Sequence, residues 1–87
     1  GRRDRSAYGL RRSIGLVVES VSAGSVAERE GVRPGDVMTQ FGGWSVTDMD
    51  ELAHLVNQVN AGDLIPVQLL RPHRGGLVRL ELGLRAQ

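Results

Sequence analysis

Apolar residues occur along this 87-residue chain in short blocks of differing period. From Ile14 to Val21 they run almost unbroken, interrupted only by Gly15, Glu19 and Ser20, and β-branched residues dominate; that is strand composition. Ser22-Ala23-Gly24-Ser25 then supplies turn residues and a helix N-cap candidate, after which Val26 to Glu30 makes about one and a half turns stopped by Gly31. A helix that short has no stability of its own in water and must lean on the strand before it. In Val32-Arg33-Pro34-Gly35-Asp36 the proline fixes one φ and the glycine permits the positive φ of a type II turn. Asp36 is thereby placed to accept from nearby backbone N–H groups. Val37 to Phe41 opens a second strand, Gly42-Gly43 turns the chain, and Trp44 to Val46 resumes a short edge.

The period changes at Met49. Apolar Met49, Leu52, Ala53, Leu55, Val56 and Val59 recur at threes and fours, with Asp50, Glu51, His54, Asn57 and Gln58 opposite them, which predicts an amphipathic helix. Thr47 or Asp48 caps it, acids fill its first turn, and it is expected to run to about Val59, with Gly62 past its end. Its apolar arc is wide enough for Leu52, Leu55 and Val59 to meet a core while Met49, Ala53 and Val56 face sideways. Leu64 to Leu70 alternates as a strand in which Pro66 argues for an edge or a strand end. Arg71 to Gly76 reads as a loop, and Leu77 to Leu84 alternates cleanly as the second arm of a hairpin.

The stretch SAGSVAEREGVRPGDVMTQFGGWSV, with small residues at Ala23 to Ser25, then Gly31, then Gly35-Asp36-Val37 and the turn glycine Gly43, resembles the corresponding stretch of PDZ domains. The likeness is strongest to the bacterial type that follows the protease domain of HtrA/Deg serine proteases, and it covers Ser13 to Leu84. It implies an α+β, mainly β fold: a five- to six-stranded, partly open barrel or sandwich capped by two helices, in the permuted bacterial strand order. The final strand would then take the place that the first strand has in animal PDZ domains. The expected organisation is a basic leader over residues 1–12 and a PDZ domain over residues 13–87.

Composition narrows the chemistry. Eleven arginines against ten acids leave a net charge of +1, so no global field draws a polyanion. Five of the arginines lie in Gly1 to Arg12; beside a neutral domain such a cluster gives only weak, salt-sensitive attachment, and no nucleic acid is expected as partner. Without cysteine there are no disulfides and no thiolate metal sites. A single Trp, Tyr and Phe leave few stacking platforms. No run approaches the ~20 apolar residues of a membrane span. Gly1 in place of a starting Met leads to the expectation that the chain is a piece of something longer. His54 lies on a polar helix face and His73 in a loop, neither near a strained nucleophile turn, so no catalytic triad is read. The two histidines lack the i, i+4 partner of a metal pair, and a helix N-terminus accounts for Asp48, Asp50 and Glu51 without an ion. No catalytic residue, metal or cofactor is expected.

What the PDZ resemblance implies is recognition of hydrophobic C-terminal or extended peptide segments, with the guest added antiparallel to an edge strand and its carboxylate held by backbone N–H groups of a glycine-containing loop. Carried onto this chain, the helix wall is Met49, Leu52, Ala53 and Val56. In the family the loop precedes the binding strand, and a second strand, which Ile14 to Val21 matches, leads to the short helix. Two registers are open for the loop. Tyr8, Gly9 and Leu10, with Ala7, are a shortened carboxylate loop, or they match a turn that follows the binding strand and the loop lies upstream of Gly1. The resemblance implies a substrate-sensing module covalently linked to an upstream protease domain, acting in protein quality control in the periplasm or cell envelope. The alternative hosts are a membrane-embedded metalloprotease, a C-terminal processing protease or a secretion scaffold; the alternative function is a basic-arm domain binding nucleic acid or anionic lipid.

Overall fold

The computed structural model describes residues 14–87; the expected leader, with Tyr8, Gly9 and Leu10, lies outside the described residues. Five strands and two helices follow one another: β1 (Leu16–Val17), α1 (Val26–Glu30), β2 (Val37–Phe41), β3 (Trp44–Ser45), α2 (Met49–Val56), β4 (Leu64–His73) and β5 (Gly76–Arg85). Among the described residues all pairings are antiparallel, in the order β1-β2-β4-β5 with β3 attached to β2, and the sheet does not close. The mainly β, two-helix open fold is the one expected.

The core lies on one face of that sheet. Ile65, Val67 and Leu69, alternate residues of β4, are buried with Met38 and Phe41 of β2 and with Val32 and Val46. Leu80, Leu82 and Leu84 of β5 and Leu52, Leu55 and Val59 from the helical segment pack around them. Aliphatic alternation therefore does here what aromatic residues do in other small cores.

Several boundaries differ from expectation, each for a physical reason. Only Leu16 and Val17 pair in register in the first strand; Val18 and Val21 pack on the core without further ladder partners. The last residues expected in the long helix form instead a tightening end, with Gln58 N–H donating to Leu55 O and Val59 N–H to Val56 O. The expected loop at Arg71 to Gly76 shrinks to two residues: β4 continues through His73, opposite Gly76, and Arg74 and Gly75 turn the chain with φ of 51° and 81°, the signature of a type I′ hairpin. Pro66 lies in a strand paired on both sides, but its carbonyl accepts from Gly42 N–H beyond the end of β2. Its missing N–H therefore falls where β2 has already ended. An extra residue in β2, Thr39, makes a bulge between Met38 and Gln40; its Oγ1 donates to the Gln68 side-chain oxygen at 2.8 Å and its carbonyl accepts from Val46 N–H.

Candidate functional site

Gly15 sets β1 against β2: a Cβ there would stand 2.6 Å from the Met38 carbonyl oxygen and 2.7 Å from Val37 Cγ1. Val18 turns both backbone groups to the neighbouring turn, its N–H donating to Asp36 O and its C=O accepting from Gly35 N–H, each at 2.7 Å. Alternation along an extended chain then aims the N–H and C=O of Val17 and Glu19 at the opposite margin, where no strand is paired among the described residues.

The Pro-Gly turn that receives Val18 is fixed electrostatically. Asp36 is 1 % exposed and accepts from Arg33 N–H at 2.8 Å. Arg71 donates to both of its oxygens, Nε to Oδ1 and Nη2 to Oδ2, at 2.8 Å, and Nη2 also donates to Gly31 O at 2.7 Å. The Arg71 hydrogen bonds hold the Asp36 carboxyl below its ordinary range against the opposing effect of burial, and Asp36 in turn raises Arg71. One side chain of β4 thus ties together the α1 terminus and the turn that anchors β1.

On the other side stands α2. Asp48 caps it by accepting from Glu51 N–H at 2.8 Å, and Glu51 reaches back to accept from Thr47 N–H and Oγ1, each at 2.7 Å. Those Thr47 bonds, the side-chain one foremost, lower the Glu51 pKa. The helix so placed faces β1 across a groove of about 390 Å³ lined by Leu16, Val17, Val18, Glu19, Ser20, Met38, Met49 and Leu52.

Of the four helix-wall positions, the structure brings Met49 and Leu52 to this groove. Met49 is 63 % exposed, so its side chain is not spent on the core. Ala53 is exposed and is not among the residues that line the groove, and Val56 lines a separate hollow with Val26, Phe41, Val59, Ile65 and Leu84. Leu16, Val18 and Met38 line the groove without being among the positions expected from the sequence; the apolar run Leu16-Val17-Val18 marks a strand but not which of its residues face α2. Among the described residues no three His, Asp or Glu side chains converge as a metal site would require. His54 stands on the exposed helix face with Nε2 2.7 Å from the Gln58 amide nitrogen. None of the described helices is long and apolar enough to cross a membrane.

A family profile described as PDZ domain matches residues 17–71, from β1 to the arginine that holds Asp36. The chain belongs to the PDZ domain family. Within it, the chain is similar to proteins named probable periplasmic serine endoprotease DegP-like. That of Rhizobium meliloti (strain 1021) is 36 % identical over 75 residues, 86 % of this chain and 15 % of the relative. That of Marinomonas sp. (strain MWYL1) is 30 % identical over 78 residues, 90 % of this chain and 17 % of the relative. Among solved structures, the HtrA-type protease AlgW with a decapeptide matches all of this chain and 26 % of its own, with TM-score 0.69 and 25 % identity. The HtrA3 PDZ domain bound to the phage-derived ligand FGRWV matches 98 % of this chain and 71 % of its own, with TM-score 0.64; at 21 % identity that likeness is one of fold. The chain spans 15 to 17 % of the length of these curated relatives.

Proposed function

We propose that this chain is a peptide-recognition module of a longer HtrA/DegP-like protease, and that it holds hydrophobic C-terminal or extended segments beside α2. The observation that carries the reading is the margin of β1, unpaired among the described residues, facing the apolar wall of Met49 and Leu52 across an open groove. Sheet margins of this kind take up extended chain through main-chain hydrogen bonds, while neighbouring pockets select alternate side chains. The likeness to relatives whose solved forms hold a decapeptide and a short phage-derived ligand supports it. The family register puts the binding strand ahead of Ile14. That strand lies outside the described residues. Cleavage belongs to the linked protease domain, and the word periplasmic in the relatives' names supports an extracytoplasmic setting for the whole.

Amide chemical shifts during titration with C-terminal peptides, free acid against amide, test this. Perturbations are expected at Met49, Leu52 and Val17 to Glu19, with weaker binding of the amide. Carboxylate-dependent shifts at Tyr8 to Leu10 assign the loop to that segment, and their absence assigns it upstream. Shifts confined to Arg2 to Arg12 would refute the reading. Met49→Asp is expected to weaken binding about tenfold or more, ~1.4 kcal/mol, with an unchanged circular dichroism spectrum because Met49 is exposed. Undiminished binding would remove α2 from the site.

A further inference from the structure

The sheet has a second free margin, far from the groove. β5 is ten residues long, the last strand in the order, and no described strand pairs with its outer side. The two-residue turn makes His73 and Gly76 a hydrogen-bonded pair, so the even-numbered residues of β5 face β4 and the odd ones aim their N–H and C=O outward. Pro72 and Pro66, which have no N–H to give, sit opposite the odd residues Leu77 and Gly83, in agreement with that phase. A long, regular, unpaired edge of this sort is a template for another strand.

We propose that the outer margin of β5 pairs antiparallel with the same margin of a second copy of this chain, centred on Leu80. The charges choose the occupant and the register. Arg79 and Glu81 are exposed and make no salt bridge or hydrogen bond among the described residues. A two-fold axis at Leu80 sets Arg79 opposite the partner's Glu81 and Glu81 opposite the partner's Arg79. Sliding the axis to Arg79 or to Glu81 sets like charges face to face, which is unfavourable directly across a ladder. Edge charges that serve only to repel other strands have no need of such self-complementarity.

The apolar residues fit the same register. Leu77, 56 % exposed on the outer face, comes opposite the partner's Gly83. Beside Gly83 the Leu64 side chain leans in: its Cδ1 lies 3.2 Å from where a Cβ would stand, and Leu64 is itself 58 % exposed. The missing side chain at Gly83 leaves room for two exposed leucines, one from each chain, to meet. Such an interface is isologous: every contact is made twice.

Sedimentation velocity over a concentration series into the millimolar range tests the pairing. The weight-average mass is expected to rise toward that of two chains, and less so in high salt, since exposed pairs are screened. Arg79→Glu and Glu81→Arg, each at an exposed site without a partner among the described residues, should raise the dissociation constant at least tenfold while circular dichroism stays the same. The double variant Arg79→Glu/Glu81→Arg, which restores opposite charges across the axis, should recover association. A single-chain mass throughout the series overturns the proposal. So does association indifferent to the single variants, or a double variant no better than either single.

Discussion

At the scale of single residues, the molecule depends most on Asp36. Its carboxylate is out of water, paired bidentately with Arg71 and bonded to Arg33 N–H. Removing one partner of a fully buried pair costs ~3–5 kcal/mol; the Arg71 side chain is 22 % exposed and can be partly rehydrated, so Asp36→Asn is expected to cost about 2–3 kcal/mol in urea unfolding. A pH series isolates the ionic part. Because the folded-state pKa lies below the ordinary 3.8, the unfolded chain takes up the proton first as pH falls. The stabilisation is fully present above about pH 4 and is lost as pH drops through the lower folded value. Asp36→Asn should lack that acid-side loss; an identical pH profile would show the pair to be electrostatically idle. Gly15 acts through shape instead. Its absent side chain lets β1 approach β2, and Gly15→Ala would thrust a methyl into the Met38 carbonyl. A cost of about 1–3 kcal/mol, with weakened peptide binding as β1 shifts, is the expected outcome; a neutral effect on both would mean that β1 has room to move.

At the scale of elements, α2 is held in place by its N-terminus. Eight residues make a helix that does not persist alone, so the cap, in which Asp48 accepts from Glu51 N–H and Glu51 accepts from Thr47, decides whether Met49 faces the groove. Asp48→Ala is expected to cost ~1 kcal/mol and to weaken peptide binding more than it lowers the melting temperature. Equal binding by the variant would show that packing by Leu52 and Leu55 suffices. The elements legible in the sequence were those whose signals are local. Ser25 and Gly31 bracket α1, accepting from Glu28 N–H at one end and taking φ of 98° at the other; Gly42-Gly43 closes the β2–β3 hairpin; β4 and β5 alternate. What escaped depends on partners distant in sequence. The signals around Arg71 are those of a loop, because its acceptor, Asp36, is 35 residues away and leaves no local mark. Pro72 lies within the stretch expected as a loop, yet at a non-hydrogen-bonded position of the hairpin it removes nothing from the β4–β5 ladder. Of the helix wall, 3.6-residue periodicity could mark Met49, Ala53 and Val56 as off the core stripe, but it could not say that the helix turns Met49 toward β1 and Val56 toward Leu84.

At the scale of the whole molecule, the sheet has two margins that are unpaired among the described residues and are separated by β2 and β4. Pairing two copies through β5 makes a continuous eight-strand path with a β1 margin at each end, seven strand spacings or roughly 34 Å apart at ~4.8 Å each. The two grooves are then related by the two-fold axis, too far apart to share a side chain, so each binds a monovalent peptide as the single chain does. A ligand carrying two peptides on a flexible linker long enough for that span converts its second binding step into an intramolecular one, for a gain of ~10²–10⁴ over the single peptide. Isothermal titration should show that gain for the native chain at concentrations where it is dimeric. Arg79→Glu should lose the gain while keeping the monovalent affinity, since Arg79 lies on the opposite margin from the groove. A linker shorter than the span should give no gain in either protein. If the bivalent advantage survives Arg79→Glu, the two grooves are brought together by some surface other than β5. If monovalent affinity falls together with the advantage, the two margins are coupled through β2 and β4.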